Sequence, residues 1–197
     1  MQIGKKFLIT GVQGVGKTTI ARNDLLSEDR FHRHHFGDTM LDIAIAKGYA
    51  KRNAKVMPQL TDVIREELQN DALNAIKNQF GNIIIDGHLI VPSNKGFLPG
   101  LKSTLIKELE IEAIFILIST PENIVERRRK NPNLYNERLK KWDDIKSVEI
   151  HQNLLLSVAT NCSFEFNIPI NIIFNENDKI KETVREIWNI LNIICDE

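Results

Sequence analysis

Cysteine is scarce in this chain of 197 residues: there are two, Cys162 and Cys195, with no CxxC pair and no histidine at zinc-binding spacing. Disulfides and a cysteine-held metal are thereby excluded as scaffolding, and free thiols point to a reducing compartment, the cytoplasm. A chain of this length buries roughly 70% of the surface that its unfolded form exposes, so an apolar core suffices to hold it. An excess of one charge is missing too. The 26 Lys and Arg balance 26 Asp and Glu, and no overall positive field draws the protein to nucleic acid or to an anionic membrane. Long apolar runs are also absent: Ile83 to Ile85 and residues 113–118 fall far short of the roughly 20 residues of a membrane span. The first residues show no apolar stretch with a small-residue cleavage site, so no secretion signal is expected. Internal repeats, linkers and low-complexity tracts are lacking.

What is present is a set of short, fully apolar runs with polar ends, the pattern of buried parallel strands. They are Phe7 to Ile9 ending at Thr10 and Gly11, Ile83 to Ile85 ending at Asp86, residues 113–118 ending at Ser119, and Ile170 to Phe174 ending at Asn175. A weaker strand precedes Gly37. Between them lie helical periods: Leu60, Val63, Ile64, Leu68, Ala72, Ala75, Ile76 and Phe80 predict one apolar stripe, and Ile180, Val184, Ile187, Leu191 and Ile194 another. Strands alternating with helices predict an α/β class, a doubly wound parallel sheet of five strands with helices on both faces. Two segments interrupt the pattern. Residues 91–100, with Pro92, Gly96, Pro99 and Gly100, are expected to be irregular, and residues 129–142 form a charged, Asn-rich insertion marked by Pro132.

Residues 11–18 read Gly-Val-Gln-Gly-Val-Gly-Lys-Thr, a GxxxxGK[ST] phosphate-binding loop placed directly after a strand and before a helix. Chance alone gives such a match in roughly one protein per hundred, before the flanking elements are demanded. Gly11, Gly14 and Gly16 free the backbone so that amide groups of Val12, Gln13, Val15 and their neighbours converge on phosphate, at the positive end of the following helix. Lys17 neutralises the β and γ phosphates, Thr18 ligates magnesium, and Thr19 continues the helix start. The expected ligand is ATP with Mg2+.

Asp86 stands at a strand's carboxyl end, where open parallel sheets bind ligands, placed to hold magnesium through water or to orient a second substrate. His88 shares that rim. The run Arg127-Arg128-Arg129-Lys130, with Arg138, reads either as a solvated helix face or as a lid that closes on transferring phosphate and excludes water. His32, His34 and His35 lack a visible third metal-ligand partner, and a structural or surface role is the expectation. Asn175-Glu176-Asn177-Asp178 has Glu where a guanine-reading GTPase motif needs Lys, which disfavours a GTPase.

These stretches together resemble the archaeal type of adenylate kinase over nearly the whole chain. The likeness rests on GVQGVGKTT, on FGDTM at Phe36 to Met40, on KGYAK at Lys47 to Lys51, on IIIDGH at Ile83 to His88 and on KGFLPGL at Lys95 to Leu101. The resemblance implies a P-loop nucleoside monophosphate kinase moving the γ-phosphoryl of ATP to AMP, with residues 31–80 as acceptor segment and 127–142 as lid. It assigns catalysis to Lys17, Arg127 and Arg138, and less firmly to Arg128 and Arg129. Phe36, Gly37 and Met40 would line the AMP side, with Asp86 and His88 beside it, and Asn175 would lie near adenine. One departure concerns the AMP phosphate: after Met57 the resemblance calls for an arginine, and this chain has Pro58, leaving Arg52 or Lys55 to substitute. Some relatives of the type are trimers, so a homo-oligomer is a possible state. Other readings stay open at this point: a kinase for CMP, UMP or another small acceptor, and a nucleotide-binding regulatory module.

Overall fold

A computed structural model describes residues 3–22, 30–51, 60–131 and 140–196. Five strands make one parallel sheet: β1 (Ile3–Gly11), β2 (Phe31–His35), β3 (Gly81–Asp86), β6 (Ile111–Ile118) and β7 (Ile170–Phe174), in the order β2-β3-β1-β6-β7. The apolar runs of the sequence are these strands, and the weak one before Gly37 is β2. Ile83, Ile84, Ile85 and residues 113–117 are at most 1% exposed, as expected of strands covered on both sides.

The strand order reverses at β1, so right-handed crossovers send helices to opposite faces. Accordingly α1 (Lys17–Arg22) packs with α7 (Ile180–Asp196). On the other face α2 (Phe36–Ala46) meets α3 (Asp62–Lys77), α3 meets α4 (Ser103–Glu108), and α4 meets α6 (Ile145–Phe166), which also carries α5 (Pro121–Lys130). The helix starts are written locally. Thr61 accepts from the Ile64 amide, Thr120 precedes Pro121 and accepts from Asn123, and Asp144 accepts from Ser147, each side chain satisfying an otherwise unpaired amide. Phe7 of the central strand sits 6.0 Å from the ring of Phe31, which in turn lies edge-on to Trp188 at 5.4 Å, tying α7 to the sheet.

Two sequence expectations are corrected. Residues 91–100 are regular: β4 (Ile90–Ser93) and β5 (Gly96–Pro99) form an antiparallel hairpin. Its two strands form a separate ribbon, where prolines are tolerated, and the Ser93 hydroxyl closes the turn by donating to the Gly96 carbonyl at 2.7 Å. The α3 stripe is narrower than its periodicity implied, since Val63, Ala75 and Phe80 are exposed while Leu68, Ala72, Leu73 and Ile76 are buried. No helix among the described residues is long and apolar enough to cross a membrane.

Candidate nucleotide site

The glycine-rich loop leaves the carboxyl end of β1 at the point where the strand order reverses, the place where open α/β sheets bind ligands. Val12 and Val15 are buried and pin the loop to the core, and a Val15 amide to Val12 carbonyl bond of 3.2 Å closes its turn. Gly16 has φ +107°, and a Cβ there would lie 2.3 Å from Asn175 Nδ2. Conformation and space both demand glycine.

Lys17 opens α1 and folds back, its Nζ donating to the Gly11 carbonyl at 2.8 Å. Burial lowers its pKa to about 8, partly opposed by Asp86 and reinforced by Arg33. His88 Nδ1 donates to the same carbonyl at 3.1 Å; because a carbonyl only accepts, this fixes the hydrogen on Nδ1 and leaves Nε2 bare. The Lys17 charge, then burial, holds His88 well below the usual histidine range. Asp86, 3% exposed at the end of β3, accepts from Arg33 Nη2 at 2.9 Å, and its Oδ1 is buried without a hydrogen-bond partner among the described residues.

On the other flank of the loop three side chains brace its backbone. Arg128, 1% exposed, donates from Nε to the Gln13 carbonyl at 2.8 Å and from Nη1 to the Trp142 carbonyl at 3.0 Å. Arg127 reaches the Val15 and Asn175 carbonyls at 3.0 and 2.9 Å. Asn175 Nδ2 donates to the Val15 carbonyl at 2.7 Å. The Gln13 and Val15 carbonyls are thus held by side chains of α5 and of the segment after β7.

Comparison with known proteins agrees with this construction. Residues 10–148 match a family model described as an AAA domain. The adenylate kinase of Pyrococcus furiosus is 32% identical over 197 aligned residues, covering 96% of each chain. The chain belongs to the archaeal adenylate kinase family. The adenylate kinase of Thermoplasma acidophilum is similar at 29% identity, over 94% of this chain and 98% of that one. Among solved structures, the shikimate kinase of Acinetobacter baumannii shares the fold with a TM-score of 0.56 at 14% identity, over 95% of this chain and 93% of that one. A gluconokinase of Sinorhizobium meliloti does so at 0.55 and 12%, over 100% and 96%.

Within this adenylate kinase fold the residues expected from sequence divide into groups. Lys17, Asp86, His88 and the loop are brought together. Phe36 and Met40 are buried on α2, with Gly37 half-buried in its first turn, next to the end of β2. The arginine run forms the last turn of α5: Arg127 and Arg128 are committed to the loop, while Arg129 is exposed. Arg52, Lys55 and Arg138 lie outside the described residues. Thr18 and Thr19 are exposed at the start of α1.

Three participants escaped the sequence reading. Arg33 sits in a run of histidines, and only the β2–β3 register shows that it shares a face with Asp86. Thr183 Oγ1 lies 3.4 Å from Asn175 Oδ1. Gln152 clips the end of β6 through both the amide and the carbonyl of Ser119.

Proposed function

We propose that the protein transfers the γ-phosphoryl of ATP to AMP and so forms two ADP. The observation that carries this reading is the buried ammonium of Lys17, parked on the Gly11 carbonyl at 2.8 Å within a glycine-rich loop whose Gln13 and Val15 carbonyls are braced by Arg127, Arg128 and Asn175. Such an arrangement holds positive charge at the start of a helix, where a polyphosphate binds. Full-length similarity to archaeal adenylate kinases supports AMP as the acceptor.

In the reaction an acceptor phosphate oxygen bonds to the γ phosphorus as the bond to the β–γ bridging oxygen breaks. The attacking oxygen is already ionised, so no general base is required, and the chain contributes position and charge. Lys17 leaves Gly11 for the β and γ phosphates. Arg127, Arg128 and Asn175 hold the loop so that its amides need not reorganise. Arg127 serves the phosphates from its brace on the loop, and Arg138 keeps the lid assignment as part of the proposal, with residues 127–142 as the lid segment and residues 31–80 as the acceptor segment, together excluding water that would otherwise take the phosphoryl group.

Magnesium fits the oxygen donors present: the exposed Thr18 hydroxyl and the unpartnered Asp86 Oδ1, the latter reaching the ion through water. Held there, the ion would supply positive charge that offsets the charge of the phosphates.

An acceptor panel tests the reading. Purified protein with ATP and magnesium is expected to form ADP with AMP at least about tenfold faster than with CMP, UMP, adenosine or shikimate, and Lys17→Met abolishes the difference. Faster turnover of another acceptor reassigns the substrate. ATP binding with no acceptor-dependent ADP makes the protein a nucleotide-binding module.

A further inference from the structure

Arg33 projects from β2 onto the same face of the sheet as Asp86, one strand over, because Arg33 pairs in register with Ile84 and His35 with Asp86. Its Nη2 donates to Asp86 Oδ2 at 2.9 Å, and its Nε is buried with no hydrogen-bond partner among the described residues. The Arg33 side chain is 25% exposed where that of Asp86 is 4% exposed, so the guanidinium is anchored on a buried carboxylate while part of the side chain reaches the surface. Its charge also reaches Lys17, whose ammonium it disfavours.

Lys17 and Arg33 oppose each other electrostatically, and Asp86, paired with Arg33 and 4.0 Å from His35, is the carboxylate that offsets them; gathered positive charge of this kind is costly unless an anion joins it. The triphosphate's donors are accounted for by the loop and Lys17, and its braces, Arg127, Arg128 and Asn175, all lie on the β6–β7 flank. Arg33 lies on the opposite flank, where β2 runs into α2. We infer that Arg33 is the cation that binds the acceptor's monophosphate, with Asp86 holding its guanidinium in place. This inference rests on the AMP-kinase reading above. It supplies the charge that Pro58, following Met57, does not. Arg33 can donate in the plane of the fork to a phosphate oxygen while keeping its bond to Asp86, a geometry lysine lacks. The pairing also orients Asp86 so that Oδ1 stays free. A neutral nucleoside gains nothing from Arg33, so the residue selects monophosphates over nucleosides.

The test is calorimetric titration with AMP and with adenosine, for the wild type and Arg33→Gln. The wild type is expected to prefer AMP, and Arg33→Gln to shrink the AMP-to-adenosine affinity ratio by about 10-fold or more, with ATP affinity changed by less than about 3-fold. A ratio within twofold of wild type in the variant, or an equal loss for ATP, overturns the assignment and leaves Arg33 as a mere counter-ion for Asp86. Should Arg33→Gln not fold, the wild type is read directly by NMR. The Arg33 Nε–H signal, identified by its loss in Arg33→Lys, is expected to shift on adding AMP and to stay put with adenosine; an unmoved signal with AMP overturns the proposal. A wild type that binds ATP yet does not distinguish AMP from adenosine defeats the acceptor reading itself, a different result from a preference that survives the variant.

Discussion

Lys17 and His88 converge on one acceptor, the carbonyl of Gly11, at 2.8 and 3.1 Å. The histidine keeps the carbonyl satisfied when the ammonium moves to phosphate, so Lys17 can leave without stranding a buried polar group. Until it moves, the ammonium is buried at a cost. Lys17→Met is therefore expected to lower kcat/KM at least about 100-fold while leaving the melting temperature of the nucleotide-free protein unchanged or a few degrees higher. Steady-state kinetics and a thermal melt check both; a variant keeping a tenth of the activity contradicts the role.

Arg128 and Asp143 form an ion pair at 3.4 Å with side chains 1% and 7% exposed. Removing one partner leaves a buried charge alone. Arg128→Met should cost about 3–5 kcal/mol in urea unfolding, and adding Asp143→Leu should recover a large part. Because Arg128 also holds the Gln13 carbonyl, the double variant is expected to regain stability but keep a raised KM for ATP. Recovery of both together would separate the loop from this pair.

Asn175 fills the space beside Gly16 and donates to Val15 at 2.7 Å. Asn175→Ala removes that brace at a cost of about 1–2 kcal/mol. The KM for ATP should rise several-fold with the KM for AMP little changed, since the brace lies on the β6–β7 flank. A change confined to AMP runs against this division of the cleft.

His151 is 3% exposed, packs with its ring tilted against Phe97 at 4.9 Å and lies 3.4 Å from the Ile90 carbonyl. Burial drops its pKa from the ordinary 6.5 to about 4. The folded state favours neutral His151, so its contribution is complete above pH 6.5 and is lost as pH falls toward 4, where the unfolded chain binds the extra proton. The loss is on the order of 3 kcal/mol. Denaturant melts from pH 7 to 4 should show it, and His151→Phe should flatten the slope. His88, also held neutral, leaves a remainder. An unchanged slope in His151→Phe would place the acid sensitivity elsewhere.

Strands β1, β3, β6 and β7 are legible because each holds a short apolar run ending in a polar residue at the sheet's carboxyl edge, β2 only weakly because it reads Phe-His-Arg-His-His, and the loop because its motif sits between strand and helix. The hairpin at Ile90–Pro99 was not. Its prolines and glycines look like breakers in one dimension, and what orders it is tertiary: Phe97 lies 4.6 Å from the ring of Trp142, whose Nε1 donates to the Ser93 carbonyl at 3.0 Å. Arg127 and Arg128 were readable as cations near phosphate chemistry, but not as braces, because loop carbonyls carry no sequence signature. Arg33 was invisible for the reason that hides any cross-strand pair: register decides which face it takes.

The nucleotide balance of a single reaction tests the central claim most directly. With ATP, magnesium and excess AMP, phosphorus NMR should show two ADP formed for each ATP consumed and no inorganic phosphate. One ADP and one phosphate per ATP would mean that water, not a nucleotide, receives the phosphoryl group, and would contradict the account.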